Sequence, residues 1–279
     1  MIPLSRAAGR DSREPRTDNC AKGARAFTLI EMTVVMLIIA TLAALLMGAA
    51  TGVFDRARRT QAKNDVTQIV TAVNAYYTEY GRYPLVSTIT TDAFYGTLPA
   101  GGTLPAGCAN AGTNAVLLDV LRNNTTGNNA STVTTLNPRQ IVFISPGGAK
   151  KTTPPRGGIV VVAGDPFLGQ YFDPWGSPYA IEIDGGYDNL VSNPYSDNDG
   201  SAGASPSLTQ GAIAYSYGKN GKLGGGAAAS SAFTAEGGSA GLFKGSSDIL
   251  STVPTLIPDS RTSVPTLTPS ARLNLAITS

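Results

Sequence analysis

The feature that most constrains the fold is a stretch without any charged side chain, from Met32 to Phe54, which directly follows the carboxylate Glu31. Most residues in this stretch are apolar. At ~1.5 Å per residue, a helix of this length reaches across a hydrocarbon core that is ~30 Å thick. The stretch therefore predicts a transmembrane helix. A secretory signal peptide would end its apolar region sooner, at a small-residue cleavage site, whereas here the helical pattern continues.

Beyond the apolar stretch, apolar and aromatic side chains recur at steps of three and four residues. This spacing predicts one buried stripe on an amphipathic helix, so that a single helix changes its environment midway. Gly81 and Pro84 are expected to end the helix. The predicted stripe consists of Val66, Ile69, Val70, Val73, Tyr76, Tyr77 and Tyr80.

Residues 1–26 are polar, carry several basic side chains and contain no apolar run, which predicts a leader peptide. Residues 27–54 form the apolar half of the helix. Residues 55–250 are predicted to contain its amphipathic half and a globular domain. In residues 251–279, Pro, Thr and Ser alternate with single apolar residues, which predicts a flexible tail.

The globular part is predicted to be α+β. Ala115 to Arg122 has the pattern of a short helix. Between turn signals lie four predicted strands, which are Gln140 to Ser145, Gly158 to Ala163, Tyr179 to Ile183 and Ala212 to Tyr217. We expect these strands to form a small antiparallel sheet packed on the tyrosine-bearing half of the long helix.

The composition argues against catalysis and against a nucleic-acid partner. The chain contains no His, which excludes Ser-His-Asp and Cys-His arrangements and every His-containing metal site. Cys108 lies in a Gly/Ala-rich loop without a basic neighbour, so we expect a small structural residue rather than a nucleophile. The formal net charge is +2 and no basic run is interleaved with aromatics. The sequence therefore predicts a protein that is not an enzyme.

The segment around residue 26 resembles the processing site of type IV pilins and type II secretion pseudopilins. Ala26 is a small residue, and Phe27-Thr28-Leu29-Ile30-Glu31 is followed by the apolar stretch. The resemblance implies cleavage by a prepilin peptidase between Ala26 and Phe27, and N-methylation of Phe27. Ala26 departs from the family pattern, which usually has Gly before the cut.

In that family the carboxylate at the position of Glu31 is thought to meet the amino terminus of a neighbouring subunit. A carboxylate near the start of an apolar helix is costly in lipid unless it finds a partner. The resemblance therefore implies that Phe27 and Glu31 govern assembly. The alternative from the residues alone is that Glu31 reaches out to the polar interface.

Segments of the globular part also resemble the family, and most closely the major pseudopilin of type II secretion. These segments are Gly81-Arg82-Tyr83-Pro84, Asn137-Pro138-Arg139, Asp173-Pro174-Trp175-Gly176-Ser177-Pro178-Tyr179 and Ser216-Tyr217-Gly218-Lys219-Asn220-Gly221. Within the third segment, Trp175 is expected to be a buried anchor.

The resemblance also implies a calcium site in the last loop, held by Tyr217, Asn220 and Asp248. Gly224, Gly225 and Ile249 match the family pattern as well. Asn220 replaces an acidic residue of that pattern, and an insertion from about Ala227 to Ser247 separates the two parts. A second acidic group consists of Asp184, Asp188, Asp197 and Asp199, which we interpret as solvated turn residues because no Glu completes an EF-hand-like loop.

The sequence thus leads to a structural subunit of a pseudopilus that acts in type II protein secretion. The expected partners are copies of the same chain, minor pseudopilins, an inner-membrane assembly platform and the prepilin peptidase. The expected location is the inner membrane, with a single span and an extracytoplasmic C-terminal domain. The alternatives are a type IV or competence-type pilin that forms a surface fibre, and a single-pass anchored extracytoplasmic binding protein.

Overall fold

The computed structural model describes residues 28–86, 88–99, 102–195, 202–203, 206–224, 243, 246 and 248–251, and gives the backbone alone for residues 46–51. The predicted leader, the predicted tail beyond Ser251 and most of the insertion lie outside these residues. The chain divides into two compact units, Met1–Thr51 and Gly52–Ser279. Within the described residues, no helix combines the length and the apolar character that a membrane span requires.

Helix α1 covers Leu29–Tyr80, which confirms the single long helix of the sequence analysis. It ends where Gly81 adopts a φ of +67°, a left-handed conformation that glycine reaches without steric cost. The amide of Gly81 donates to the carbonyl of Tyr77 at 2.8 Å and so closes the last turn.

Within the second unit, the amphipathic half of α1 buries one stripe against the other elements of that unit. Val66, Ile69, Val73 and Tyr76 are buried as predicted. The prediction was wrong for Tyr77, which is 40% exposed. Its ring instead lies beside that of Tyr83, with the centroids 4.6 Å apart. Val70 and Tyr80 are partly buried. Three residues that the prediction did not include are also buried on this face of α1, namely Ala62, Asp65 and Ala72.

A five-stranded sheet in the order β2-β1-β5-β8-β9 packs on this stripe. Its strands are β1 (Ala93–Tyr95), β2 (Ala109–Gly112), β5 (Ala180–Ile183), β8 (Ala212–Ser216) and β9 (Ile249–Leu250). The strands predicted at Tyr179 to Ile183 and Ala212 to Tyr217 are thus confirmed as β5 and β8. The sheet is antiparallel, as predicted, in the pairs β1-β5, β5-β8 and β8-β9. The prediction was wrong for the pair β1 and β2, which is parallel.

The other elements are short. Helix α2 covers Asn114–Arg122, as predicted, and α3 covers Ala130–Leu136. Two small sheets contain the pairs β3 (Gly158–Ile159) with β4 (Tyr171–Phe172), and β6 (Val191–Ser192) with β7 (Ser207–Leu208). The strand predicted at Gly158 to Ala163 therefore stops at Ile159. Val161, which is 58% exposed, lies beyond its end.

The strand predicted from Gln140 to Ser145 is absent. The amide of Phe143 donates to the carbonyl of Leu121, at the C-terminal end of α2, at 2.8 Å. The amide of Ile141 donates to the side-chain oxygen of Asn137 at 3.0 Å. The hydrogen bonds of this segment thus go to a helix end and a side chain, so the alternating apolar pattern does not produce a strand.

A buried carboxylate organises the turn that contains Trp175. Asp173 Oδ1 accepts hydrogen bonds from the amides of Trp175, Gly176 and Ser177 at 2.9, 2.7 and 2.9 Å. Asp173 Oδ2 accepts the hydroxyl of Ser216, on β8, at 2.6 Å. Trp175 is 6% exposed, as expected for an anchor. Two segments that are far apart in the sequence are therefore joined through one side chain.

The long helix also holds the last strand. Lys63 Nζ on α1 donates to the carbonyls of Leu250 and Ser251 at 2.7 and 2.9 Å. Close by on α1, Asp65 Oδ2 accepts the hydroxyl of Tyr179 at 2.8 Å. Burial raises the pKa of Asp65, against the hydrogen bonds from Tyr179 and Tyr171. These hydrogen bonds add polar contacts to the apolar packing between α1 and the sheet.

Candidate functional site

The first candidate site is the start of α1, where Glu31 has a local role that sequence reasoning missed. Glu31 Oε2 accepts the backbone amide of Thr28 at 2.9 Å and its hydroxyl at 3.0 Å. In return, the amide of Glu31 donates to Thr28 Oγ1 at 3.3 Å. This is a reciprocal capping box, which satisfies amides at a helix N-terminus. The Thr-x-x-Glu spacing at 28–31 is the sequence signal that could have revealed it.

The helix surface that follows Glu31 is apolar and uncovered in a single chain. From Leu29 to Leu45, the large apolar side chains expose between 45% and 82% of their surface. Water-exposed apolar surface of this extent marks a site that is covered by lipid or by protein. The start of α1 therefore combines a carboxylate with a surface that requires an apolar neighbour. Ala26 and Phe27 lie outside the described residues, so the processing site stays a prediction.

The second candidate site is the predicted calcium loop. The structure brings Asn220 and Asp248 together at Gly224, and Tyr217 lies directly after β8, at the start of the same loop. Asn220 Nδ2 donates to the Gly224 carbonyl at 3.1 Å, and the Gly224 amide donates to Asp248 Oδ2 at 2.7 Å. The hydroxyl of Tyr195 donates to the same Asp248 oxygen at 3.0 Å. All three predicted residues are buried, with exposures of 2%, 7% and 4%.

Asn220 closes its own turn as well, because its Oδ1 accepts the amide of Lys222 at 2.9 Å. The Tyr217 hydroxyl has no hydrogen-bond partner among the described residues. Burial, followed by the charges of Glu182 and Asp248, raises the pKa of Tyr217. Within the residues that the structure describes, no three acidic or cysteine side chains lie together in a way that could hold a metal ion. Asp248 is therefore the one charged oxygen ligand that the predicted set supplies.

Next to this loop, the face of the sheet opposite α1 buries an acidic side chain that the sequence analysis did not single out. Glu182, in the middle of β5, is 0% exposed. Its Oε1 accepts the hydroxyl of Tyr215 at 2.9 Å, and its Oε2 lies 3.7 Å from the sulfur of Cys108. Burial raises the pKa of Glu182 to about 8, despite these two donors. Burial likewise raises the pKa of the Cys108 thiol, in keeping with an unreactive cysteine.

Replacing Glu182 by glutamine should flatten the pH dependence of stability. The pKa of Glu182 is about 8 in the folded chain and about 4.3 in an unfolded one. The unfolded chain therefore binds fewer protons between these values, and stability falls as the pH rises through this window. Without a carboxyl group, Glu182→Gln should be more stable than wild type at pH 8 by about 3 to 5 kcal/mol and similar to it at pH 4.5.

Urea unfolding at both pH values measures this difference. Asp188→Asn, which removes an exposed carboxylate, serves as the control. Burial also raises the pKa of Asp65, Asp92 and Asp173. Part of the pH dependence of stability should therefore remain in Glu182→Gln. Equal pH profiles for wild type and Glu182→Gln would show that Glu182 is ionised in the folded state.

The second acidic group is only partly a set of solvated turn residues. Asp184 is 2% exposed and accepts the amides of Asp188 and Asn189 at 3.3 and 2.7 Å. The interpretation was therefore wrong for Asp184, whose buried carboxylate holds the loop through these two hydrogen bonds. Asp188 is exposed, as expected. Asp197 and Asp199 lie outside the described residues.

Both candidate sites thus rest on the geometry of this chain. The structure places Glu31 in a helix cap and joins Asn220 and Asp248 through Gly224. Comparison with known protein families, curated proteins and solved structures found no match to this chain.

Proposed function

We propose that this protein is the structural subunit of a filament of the pseudopilus type, which serves protein secretion and polymerises through the apolar half of α1. The observation that carries the proposal is the exposed apolar surface from Leu29 to Leu45, which contains the capped carboxylate Glu31. In water such a surface drives association with lipid or with other copies of itself. An apolar helix of this kind suits a subunit that moves from membrane to filament.

The sequence around the cleavage position supports the same function. A polar leader, the small residue Ala26 and the Phe-Thr-Leu-Ile-Glu sequence resemble the complete recognition unit of a prepilin peptidase. The partners in this proposal are further copies of the chain, minor pseudopilins, the inner-membrane assembly platform and the peptidase. Before assembly the chain is anchored in the inner membrane, with its second unit outside the cytoplasm. A surface fibre of the type IV or competence type would use the same helix.

Mass spectrometry of the mature protein tests the processing step. We expect the prepilin peptidase to remove residues 1–26, so that the mature chain begins with N-methylated Phe27. Ala26→Gly should be cut at least as well as wild type, since glycine is the usual residue at this position in the family. Ala26→Leu, which puts a bulky side chain before the cut, is the matched variant that we expect to stay uncleaved. A full-length wild-type chain in membranes with active peptidase would contradict the proposal.

Calcium is the cofactor of this proposal, and the donor chemistry fits only in part. Ca²⁺ takes six to eight oxygen ligands. The carboxylate of Asp248, the side-chain oxygen of Asn220 and the backbone around Tyr217 could supply oxygens. Asp248 Oδ2 is already engaged by Gly224 and Tyr195. With a single carboxylate among these residues, we expect weak binding that orders the loop.

Thermal unfolding with and without calcium tests the site. A ligand present at about 100 times its Kd stabilises the folded state by about 2.7 kcal/mol, so saturating calcium should raise the Tm. Asn220→Asp adds a carboxylate and should increase the response, whereas Asp248→Asn should abolish it. Magnesium is the control, because it demands a tighter octahedral shell. Identical melting curves in calcium and in chelator, for both wild type and Asn220→Asp, would show that no such site exists.

A further inference from the structure

A dense group of basic residues follows the apolar stretch of α1. Residues 55–63 contain Arg56, Arg58, Arg59 and Lys63 but only one carboxylate, Asp55. Asp55 is also the only acidic residue between Glu31 and Asp65. The start of the second unit is therefore strongly positive within a short length of helix.

The fold adds a further cation to this group. Lys219, in the loop after β8, places its Nζ 3.5 Å from Asp55 Oδ2. Arg58 Nη1 lies 4.0 Å from Asp55 Oδ1. We call Asp55, Arg56, Arg58, Arg59 and Lys219 the basic rim. With four cations and one carboxylate, its formal charge is +3.

The rim continues the buried face of α1. Asp55, Arg58 and Arg59 precede Ala62, Val66 and Ile69 at steps of three and four residues, and so lie on the same side of the helix. The latter three are 0% exposed. The side chains of Asp55 and Arg58, in contrast, expose 43% and 45% of their surface. The face that packs on the sheet therefore becomes an accessible charged surface at the start of the unit.

We do not count Lys63 in the basic rim, because it binds the backbone at the last strand. Its ammonium group donates to the carbonyls of Leu250 and Ser251. Arg56, by contrast, is exposed, and Arg59 is half-buried. Asp55 lies within 4.0 Å of both Arg58 and Lys219, and within residues 55–59 this one carboxylate balances only one of the three arginine charges.

We propose that the basic rim binds the anionic headgroups of phospholipids at the membrane surface and so holds the subunit in place before it assembles. This rests on the proposed function, in which the apolar half of α1 is embedded in the membrane. Arg56 follows Phe54, the last residue of the uncharged stretch, by two positions, so the helical residues of the rim lie within ~10 Å of that stretch along α1. Guanidinium groups present a planar set of donors that matches phosphate oxygens.

Lipid binding by the purified full chain tests the proposal. The chain is reconstituted into vesicles of phosphatidylcholine, with or without phosphatidylglycerol, and native mass spectrometry counts the lipids that remain bound. Wild type should retain phosphatidylglycerol in preference to phosphatidylcholine. In Arg58→Gln/Arg59→Gln the preference should fall about tenfold, since each basic residue near an anionic surface strengthens binding up to about fivefold. About 1 M salt should also remove the preference, because the Debye length then shrinks to about 3 Å.

Lys150→Gln/Lys151→Gln is the matched control, because it removes the same charge from two exposed side chains elsewhere in the second unit. An equal loss of preference in this control would attribute the effect to net charge and overturn the proposal. An unchanged preference in the rim variant would also overturn it. If that variant kept its lipid but lost cross-links between subunits, the rim would bind a neighbouring subunit instead. Wild type that enters neither kind of vesicle would contradict the proposed function itself.

Discussion

Replacing Asp173 by alanine should destabilise the second unit by about 3 to 5 kcal/mol, one of the largest effects of any single substitution in the chain. Asp173 is 0% exposed and accepts four hydrogen bonds, three from backbone amides and one from Ser216. Alanine leaves all four donors without this acceptor in a buried turn. Since Ser216 belongs to β8, the loss reaches the sheet as well as the turn.

Asp173→Asn is the matched variant. The side-chain oxygen of asparagine can still accept the three amides. Only the hydrogen bond with Ser216 must change direction, with the asparagine amide donating to the hydroxyl oxygen. We therefore expect the stability to fall by about 1 to 2 kcal/mol. Urea unfolding followed by fluorescence measures both variants, because Trp175 is the only tryptophan and is buried in the affected turn. Asp173→Ala with wild-type stability would show that the turn is held by its apolar contacts alone.

Replacing Glu31 by alanine should leave membrane insertion intact and strongly reduce filament assembly. The substitution removes a charge from an apolar helix, which favours insertion, and removes the proposed partner for the amino terminus of a neighbouring subunit. A carboxylate at the centre of a bilayer costs about 2.5 to 3.5 kcal/mol on insertion scales, and less near the interface. Recovering about 1.4 kcal/mol of this on assembly would change the association constant about tenfold.

The capping box requires a second variant, because alanine at position 31 also removes the half of the box in which Glu31 accepts the amide of Thr28. Glutamine at this position can still accept the amide of Thr28, since glutamate and glutamine both serve in capping boxes. Glu31→Gln therefore keeps the cap and removes the charge. If charge pairing drives assembly, Glu31→Gln should fail like Glu31→Ala, whereas Thr28→Ala should assemble.

The yield of sheared filaments and of cross-linked oligomers measures assembly, after cleavage and membrane localisation have been confirmed for each variant. Wild-type yield in Glu31→Gln, together with a reduced yield in Thr28→Ala, would assign the role of Glu31 to helix capping. Equal yields in all variants would show that packing of the apolar helices is sufficient for assembly.

The elements that the sequence predicts well are those with a local signal. The three- and four-residue spacing found α1, and the apolar runs found α2, β5 and β8. Strand β2, with the sequence Ala-Asn-Ala-Gly, contains no residue that favours strands. It exists because it pairs with β1, and no local pattern encodes such a pairing. The segment 140–145 shows the reverse case, in which a strand-like pattern is used to cover the end of a helix.

The candidate sites were predictable to a similar degree. Resemblance predicted roles for Glu31 and Asp248 that stay predictions, and the Thr-x-x-Glu spacing by which Glu31 caps its own helix was overlooked. Glu182 was missed because a single glutamate within a strand normally faces water. Its burial follows from the position of β5 between β1 and β8, with Tyr215 supplying the donor.

The contact between Lys63 and the last strand also sets the order of events during synthesis. Lys63 and Leu250 are separated by 187 residues, and contacts between such distant residues form late because a long loop must close first. Strand β9 can dock on β8 and on α1 only after residue 251 has left the ribosome and, in the proposed topology, has crossed the membrane. Until then the edge of β8 remains open. A chaperone or the export machinery would therefore meet a chain with an unpaired strand edge, the kind of intermediate that aggregates unless it is protected.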